Sequence, residues 1–319
     1  MLELVDNNKT ISKRAYEKIF PDLEVRIGEC QRAARAAGVP VIIVFEGWCA
    51  AGKGTAINRL AQALDPRGFK VQPICAPDEN ERLHPWLWRF WNRLPSSGLF
   101  AIFDRSWYGR VLVERMEKLT PARGWEDGYA DIGAFERQLV ESGAVIVKFW
   151  LHISRREQKR RLEELDSDPA TEWKVGKSEW RQCRKYGAWA KAVEEMLART
   201  STADAPWTII EATQARYARV RIFETIVEAV RPELDRRAAQ PKPAPKPAPA
   251  PKASRSRRNT ILTRCDLSVS LGRKPYEAQL AKLQDRLFRL EHELYTARVP
   301  AVIVYEGCDA GGKGGNIKR

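Results

Sequence analysis

The chain alternates short apolar runs with longer stretches whose apolar positions recur at helical spacing. Residues 11–38 show that helical spacing beside a polar, basic face, with Pro21 expected to interrupt it. Residues 39–45 form a run rich in branched side chains, bounded by Pro40 and Gly47. An uninterrupted run of that length predicts a strand buried on both faces of a parallel sheet. Residues 69–75, 99–103, 144–152 and 206–211 read as further short strands. Residues 55–64, 86–93, 107–118, 131–142, 154–165, 178–199 and 216–230 read as the helices between them. Strands alternating with helices predict an α/β fold with a doubly wound parallel sheet.

Composition then divides the chain. Residues 241–251 read PKPAPKPAPAP, an extended spacer that cannot pack a core. Residues 236–258 hold eight Lys and Arg and no acid, a large part of the net charge of +14. The remaining balance is modestly basic, which suits an acidic ligand without requiring nucleic acid. Beyond the spacer the chain repeats itself. Gly47 and Gly307, Lys53 and Lys313, Pro40 and Pro300, and Tyr16-Glu17 and Tyr276-Glu277 all match at one offset of 260 positions. The repeat predicts a duplication: a first domain over 1–235, a linker over 236–260, and a second copy over 261–319 that breaks off at Arg319. The second copy should contain a helix over 276–296, one strand and a loop. That is too little to bury a core, so a loosely ordered tail is expected.

Six scattered cysteines without a CxxC pair argue against zinc and against a disulfide framework. A reducing compartment fits this usage. The N-terminus lacks the apolar core of a signal peptide, and no apolar run is long enough to span a membrane. A cytoplasmic protein with no membrane partner is the expectation.

The strand over 39–45 runs into Gly47-x4-Gly52-Lys53, and a helix follows. This is the context a phosphate-binding loop requires. Its glycines let backbone N–H groups approach phosphate oxygens, the next helix presents its positive end, and Lys53 adds a mobile cation. A plain glycine turn is the alternative. Gly54 follows the lysine, with Thr55 next, where other loops of this kind place Ser or Thr directly. The GKG-T order is the style of small-molecule phosphotransferases such as nucleoside monophosphate kinases. It predicts a P-loop kinase-like, three-layer α/β/α fold with a helical lid.

Residues 101–110 read AIFDRSWYGR. The apolar strand delivers Asp104 at its carboxyl end, where ligand sites of α/β sheets lie. An acid there can hold magnesium, and Arg105 beside it can face the same phosphates. Asp104 could instead, or also, cap the helix that follows. Residues 155–161 carry five cations in seven positions, among them Arg155, Arg156 and Arg160. Such a helix can form a lid whose arginines stabilise transferring phosphate; a solvated helix face is the plainer reading. Trp86, Trp88 and Trp91 could stack a base, though their spacing more often means helix packing. The three histidines form no cluster with metal spacing.

The segments EGWCAAGKGT, FDRSWYGR, FWLHISRREQKRRL and STADAPWTIIEATQARYARVRIFETI, in this order, resemble the polyphosphate kinase 2 family. The resemblance covers 16–231 and resumes over 276–319. The tandem arrangement resembles the fused two-domain class of polyphosphate:AMP phosphotransferases. It implies transfer of a phosphoryl group from inorganic polyphosphate to AMP, giving ADP, with Mg2+ as cofactor. The partners implied are polyphosphate and nucleoside monophosphates or diphosphates, with no nucleic acid and with room for a homo-oligomer. Carried over residue by residue, Gly47, Gly52, Lys53, Gly54 and Thr55 would bind phosphate, together with Arg155, Arg156 and Arg160. Lys53, Asp104 and Arg105 would be catalytic, with Asp104 on the metal. In the second copy the equivalents are Asp309, Gly312, Lys313 and Gly314. The family usually places an aspartate where the first copy has Cys49. It also tends to carry an acidic W-D stretch where residues 184–191 read RKYGAWAK. A neutral thiol cannot supply a carboxylate's charge and is a poor ligand for magnesium. These departures motivate a second reading, in which residues 1–235 bind polyphosphate without catalysis. A third reading is an ATP-dependent nucleoside monophosphate kinase.

Overall fold

The computed structural model describes residues 2–169, 171–239, 264–308, 311, 312 and 316. The chain divides into two compact units, residues 1–242 and 243–319. In the first unit five parallel strands form one sheet: β1 (Val41–Gly47), β2 (Phe69–Pro73), β3 (Phe100–Asp104), β4 (Val145–His152) and β5 (Trp207–Glu211). Their order is β2-β3-β1-β4-β5. β1 lies at the centre and is buried as far as Glu46, because β3 pairs with one edge and β4 with the other.

The helices of this unit are α1 (Lys13–Ala37), α2 (Lys53–Ala63), α3 (Glu79–Arg82), α4 (Trp88–Trp91), α5 (Val113–Met116), α6 (Ala122–Glu141), α7 (Arg155–Ser167), α8 (Lys177–Arg184), α9 (Tyr186–Thr200) and α10 (Ala215–Ala239). α1, α2 and α10 pack on one another and on the sheet, while α6 packs with α9 and β4. The result is the three-layer α/β/α arrangement expected from the sequence.

α1 shows why local signals prevail here. The Ser12 hydroxyl accepts from Ala15 N, and Gly38, in the left-handed region, closes the helix onto Ala34 and Arg35. Pro21 was expected to interrupt the helix, yet α1 runs through it. The lost hydrogen bond and ring clash cost about 3 kcal/mol. Phe20, Leu23, Ile27 and Ala34 are all buried, and each apolar side chain of that size gains about 1.5–3 kcal/mol or less for Ala, so burial wins.

Four other boundaries differ from expectation. Residues 107–118 are not one helix but a 3-10 turn (Trp107–Arg110) followed by α5, because Trp107 and Tyr108 turn fully into the core. α6 begins at Ala122, nine residues earlier than expected for the helix over 131–142, with Pro121 at its cap. The helix over 178–199 breaks at Lys185 into α8 and α9. α10 continues to Ala239 and so contains Arg236 and Arg237, which the composition had assigned to the linker. The reason is a clamp: the Arg237 guanidinium donates to Ala37 O (3.1 Å), Gly38 O (3.3 Å) and Gly143 O (3.2 Å). The rest of the expected linker lies outside the described residues.

One charged network is sealed in the core. Lys148, fully buried on β4, donates to Glu136 Oε2 (2.7 Å), Tyr108 Oη (2.9 Å) and Thr200 O (2.8 Å). Glu136 Oε1 accepts from Tyr108 Oη (2.6 Å) and Trp107 Nε1 (3.0 Å). The turn that follows β3 is therefore tied to α6, β4 and the end of α9. Burial pushes the Lys148 ammonium below the usual lysine range, and the carboxylate of Glu136 pulls against it.

In the second unit α11 (Arg273–Ala297) forms as expected, but it buries none of its residues. The strand expected after it does not form: residues 301–308 have no strand hydrogen bonding and are exposed. None of the six cysteines, all of them among the described residues, is in a disulfide. No helix among the described residues is long and apolar enough to cross a membrane.

Candidate active site

The chain reverses direction across the sheet on either side of β1, so the carboxyl ends of β1 and β3 form the crevice where α/β sheets hold ligands. β1 ends at Gly47, whose φ is +148°; a Cβ there would lie 2.5 Å from Leu151 O, so only glycine fits. Trp48 then buries its ring, stacks on Tyr186 at 4.1 Å, and donates from Nε1 to His152 Nδ1 (3.1 Å). Cys49 N donates to Gln182 Oε1 of α8 (2.9 Å). Ala50, a non-glycine residue at φ +60°, presents its carbonyl to Arg161 Nη1 (3.1 Å). Arg161 also donates to Ala212 O (2.9 Å) and Thr213 O (2.8 Å), so α7 fastens the loop to the β5–α10 turn. Gly52, left-handed at φ +94°, starts α2 without a side-chain cap. The first amides of α2 thus keep the positive, uncapped end that favours an anion. Lys53 folds back to donate to Gly47 O and Trp48 O, 3.0 Å each.

Opposite the loop, β3 ends at Asp104. Arg105 N donates to Phe45 O (3.0 Å), and Arg105 takes a left-handed φ of +64°, a strained conformation for a long side chain. Ser106, not Asp104, caps the following turn: its hydroxyl accepts from Tyr108 N and donates to Glu46 Oε1 (2.9 Å). Glu46 is buried beneath the loop. Burial pushes its carboxyl up, while the Ser106 hydrogen bond, Lys53 and Arg105 pull it down. Burial likewise pushes the Cys49 thiol up, against the pull of Lys53. The loop therefore presents a neutral thiol where a carboxylate would carry charge.

Between these elements lies a cavity of about 750 Å³. Lys53, Arg105, Cys49 and Glu179 line it at the glycine-loop end, and Trp86, Phe90 and Arg110 form a more aromatic part of the wall. Trp150 and Trp189, both buried, line the cavity too, and their indole N–H groups have no acceptor among the described residues. A buried donor without a partner is rare in a folded protein, and an acceptor from a ligand or water would satisfy it. Arg110 lies over the Trp86 ring at 4.7 Å, and Trp86 Nε1 donates to Asp131. Trp88 stacks on His84, and Trp91 packs edge-on against Phe135, as their spacing had suggested.

The polyphosphate kinase 2 (PPK2) family pattern matches residues 10–238 and 270–319. The chain belongs to the polyphosphate kinase 2 family. It is 45% identical over 230 residues to the polyphosphate:AMP phosphotransferase of Pseudomonas syringae pv. tomato, a match covering 72% of this chain and 46% of that one. It is 43% identical over 230 residues to the polyphosphate:AMP phosphotransferase of Pseudomonas aeruginosa, again 72% and 46%. The crystal structure of polyphosphate kinase 2 from Arthrobacter aurescens TC1 superposes with a TM-score of 0.69 at 30% identity, over 73% of this chain and 85% of that one. The chain spans about half the length of the two phosphotransferases.

Within this PPK2 domain the residues read from the sequence fall into three places. Gly47, Lys53 and Arg105 line the main cavity, with Gly52, Gly54 and Thr55 on the adjoining loop and helix start. Asp104 sits half-buried at the end of β3 beside that cavity rather than in its lining. Arg155 and Arg156 line a separate concavity on α7 and α8. Arg160 lines neither, and is held by Glu157 and Glu164 on the exposed face of α7. The basic helix, read from the sequence as a lid over transferring phosphate, thus places Arg155 and Arg156 on a concavity other than the one that Lys53 and Arg105 line. Of the second copy, Gly312 is described, at φ +82°; Asp309, Lys313 and Gly314 lie outside the described residues. The sequence reading missed Glu46, Glu179 and Gln182, and counted Arg161 only among the five cations of the basic helix. Glu46 could have been found, since it directly precedes the first loop glycine. Glu179 and Gln182 come from α8, more than a hundred residues from the loop, and no local spacing marks them.

Proposed function

We propose that this PPK2 domain transfers a phosphoryl group from inorganic polyphosphate to a nucleotide, AMP giving ADP, with magnesium. The observation that carries the reading is the juxtaposition of Lys53 and Arg105 at one end of a single cavity, under the uncapped start of α2. In this reading the polyphosphate end lies on the loop amides, with Lys53 released from its two carbonyls to follow the phosphate charge. Arg105 contacts the transferring group, and its strained backbone is held by the Phe45 bond and the Trp107–Tyr108 anchor. The nucleotide takes the aromatic part of the cavity. No covalent nucleophile on the protein is required: catalysis is positioning and charge stabilisation.

The donor set bears on the metal. No group of three or more His, Cys, Asp or Glu among the described residues is placed to hold an ion. Magnesium, however, usually binds through one or two carboxylates plus substrate phosphates and water. Asp104 fits that role and Cys49 does not. When bound there, magnesium would neutralise charge on the phosphates.

Cys49 also favours a second reading: a domain that binds polyphosphate but turns over poorly. One assay separates them: ADP formation by the 319-residue chain from AMP, magnesium and polyphosphate, with ATP as a parallel donor. Under the first reading polyphosphate serves and ATP does not, and Lys53→Ala or Asp104→Asn lowers kcat/KM by roughly 10²–10³-fold. Tight polyphosphate binding without turnover, with activity appearing in Cys49→Asp, would establish the second. Turnover with ATP alone would overturn both.

A further inference from the structure

We propose that the concavity between α7 and α8 is an accessory binding site for a stretch of inorganic polyphosphate, separate from the Lys53–Arg105 cavity. The proposal rests on the polyphosphate reading above.

The concavity measures about 580 Å³ and is lined by Arg155, Arg156, Lys159, Trp180, Cys183 and Arg184. Four of the six are cations and none is an acid. Arg155, Arg156 and Arg184 are exposed and make no ion pair among the described residues; Lys159 reaches only Glu163 of its own helix, at 3.5 Å. The contrast lies one turn along the same helix. There Arg160 and Arg161 both bind Glu157, which they hold at about 2, well below the usual carboxylate range. α7 thus neutralises the arginines on one side and leaves those on the other open. Arg155 and Arg156 are also the first two residues of α7, where the helix's positive end adds to their mutual repulsion. A surface of this kind is unfavourable alone and favourable with a polyanion on it.

The chemistry selects among polyanions. Guanidinium forks match phosphate oxygens in pairs, and three forks facing one hollow suit several phosphates in succession better than one carboxylate. The site also adjoins the first. Gln182 of α8 lines the main cavity and binds Cys49 N, while its neighbours Cys183 and Arg184 line the second concavity. A long chain seated at the loop could occupy both, and occupancy of the second site then raises affinity through effective concentration. A short chain could not.

The test uses the full chain and its Arg156→Ala/Arg184→Ala variant, with circular dichroism to confirm the fold. Binding of tripolyphosphate and of long-chain polyphosphate is measured across a salt series. The variant should bind long chains about tenfold more weakly, with a log–log salt slope shallower by about two, and tripolyphosphate as the wild type does. The Arg156→Lys/Arg184→Lys variant should keep most of the affinity. Unchanged long-chain affinity and salt slope would overturn the proposal. So would a single-stranded RNA that binds tighter than polyphosphate and is lost in the variant. A Lys53→Ala variant separates the two sites: if it loses tripolyphosphate while the arginine variant matches wild type, only the accessory site fails. If the wild type binds no polyphosphate, the functional reading falls as well.

Discussion

Residues 41–47 form the central strand of a sheet, whereas residues 301–307, carrying the same apolar run 260 positions later, form no strand. The helices before them fare alike: α1 and α11 are both 25 residues long. Even the C-terminal turn is kept, with Gly38 at φ +67° and Arg298, less comfortably, at φ +56°. What differs is burial. Leu23, Ile27 and Cys30 of α1 are buried, and their counterparts Leu283, Leu287 and Leu290 are exposed. A helix closes its hydrogen bonds within its own sequence, so the pattern suffices to draw one. A strand closes them on neighbours, and residues 301–307 make no strand pairing among the described residues.

The largest effect that could break this comparison is in amide exchange. Protection at 42–45 should approach the global stability, on the order of 5–15 kcal/mol, while 302–305 should exchange almost as an unfolded peptide does. Strong protection at 302–305 would mean that the second copy finds partners these surroundings do not offer.

The same contrast explains what the sequence made legible. The five strands, the glycine loop between β1 and α2, and the placement of Lys53 and Arg105 on one cavity follow from local pattern: apolar runs, glycines at positive φ, and a turn at the end of a strand. The break in 107–118 was not legible, because it depends on Glu136 and Lys148 drawing Trp107 and Tyr108 inward. Nor was the division of the basic helix, because its acidic partners lie on its own far side and the second wall comes from α8. Pairings such as Gln182 with Cys49 N are chosen by packing, and nothing in the spacing of 49 and 182 marks them.

A smaller effect tests how the first copy holds its turn. Lys148→Met leaves Glu136 buried without its cation and should destabilise by about 3–5 kcal/mol. Replacing both, as Lys148→Met with Glu136→Leu, should recover much of that loss, since an apolar pair removes two desolvated charges together. Urea midpoints of the two single variants and the double close the cycle. If the double loses the sum of the singles, the network is not acting as a unit, and the turn after β3 has some other anchor.

The smallest effect concerns the loop itself. In the first copy Trp48 ties the loop to His152; the second copy has Cys308 at the Trp48 position, so that tie cannot be made there in the same way. His152 is 3% exposed, and burial lowers its pKa to about 4, with Glu211 and Glu194 pulling the other way. The folded state therefore binds this proton less readily than the unfolded chain, whose histidine titrates near 6.5. Its contribution to stability is complete above the unfolded value and is lost as pH falls from about 6.5 toward 4. Between pH 7 and 5 the loss from this group should be about 2 kcal/mol. The interval ends before most carboxylates protonate, so Glu157 and Asp65, both held at about 2, contribute little within it. His152→Gln keeps an acceptor for Trp48 Nε1 but cannot take a proton. Its stability should therefore fall less across the same interval than that of the wild type, whatever its absolute value. If the variant falls with pH as steeply as the wild type, His152 is not the sensing group, and the bond to Trp48 positions the loop without setting its response to acid.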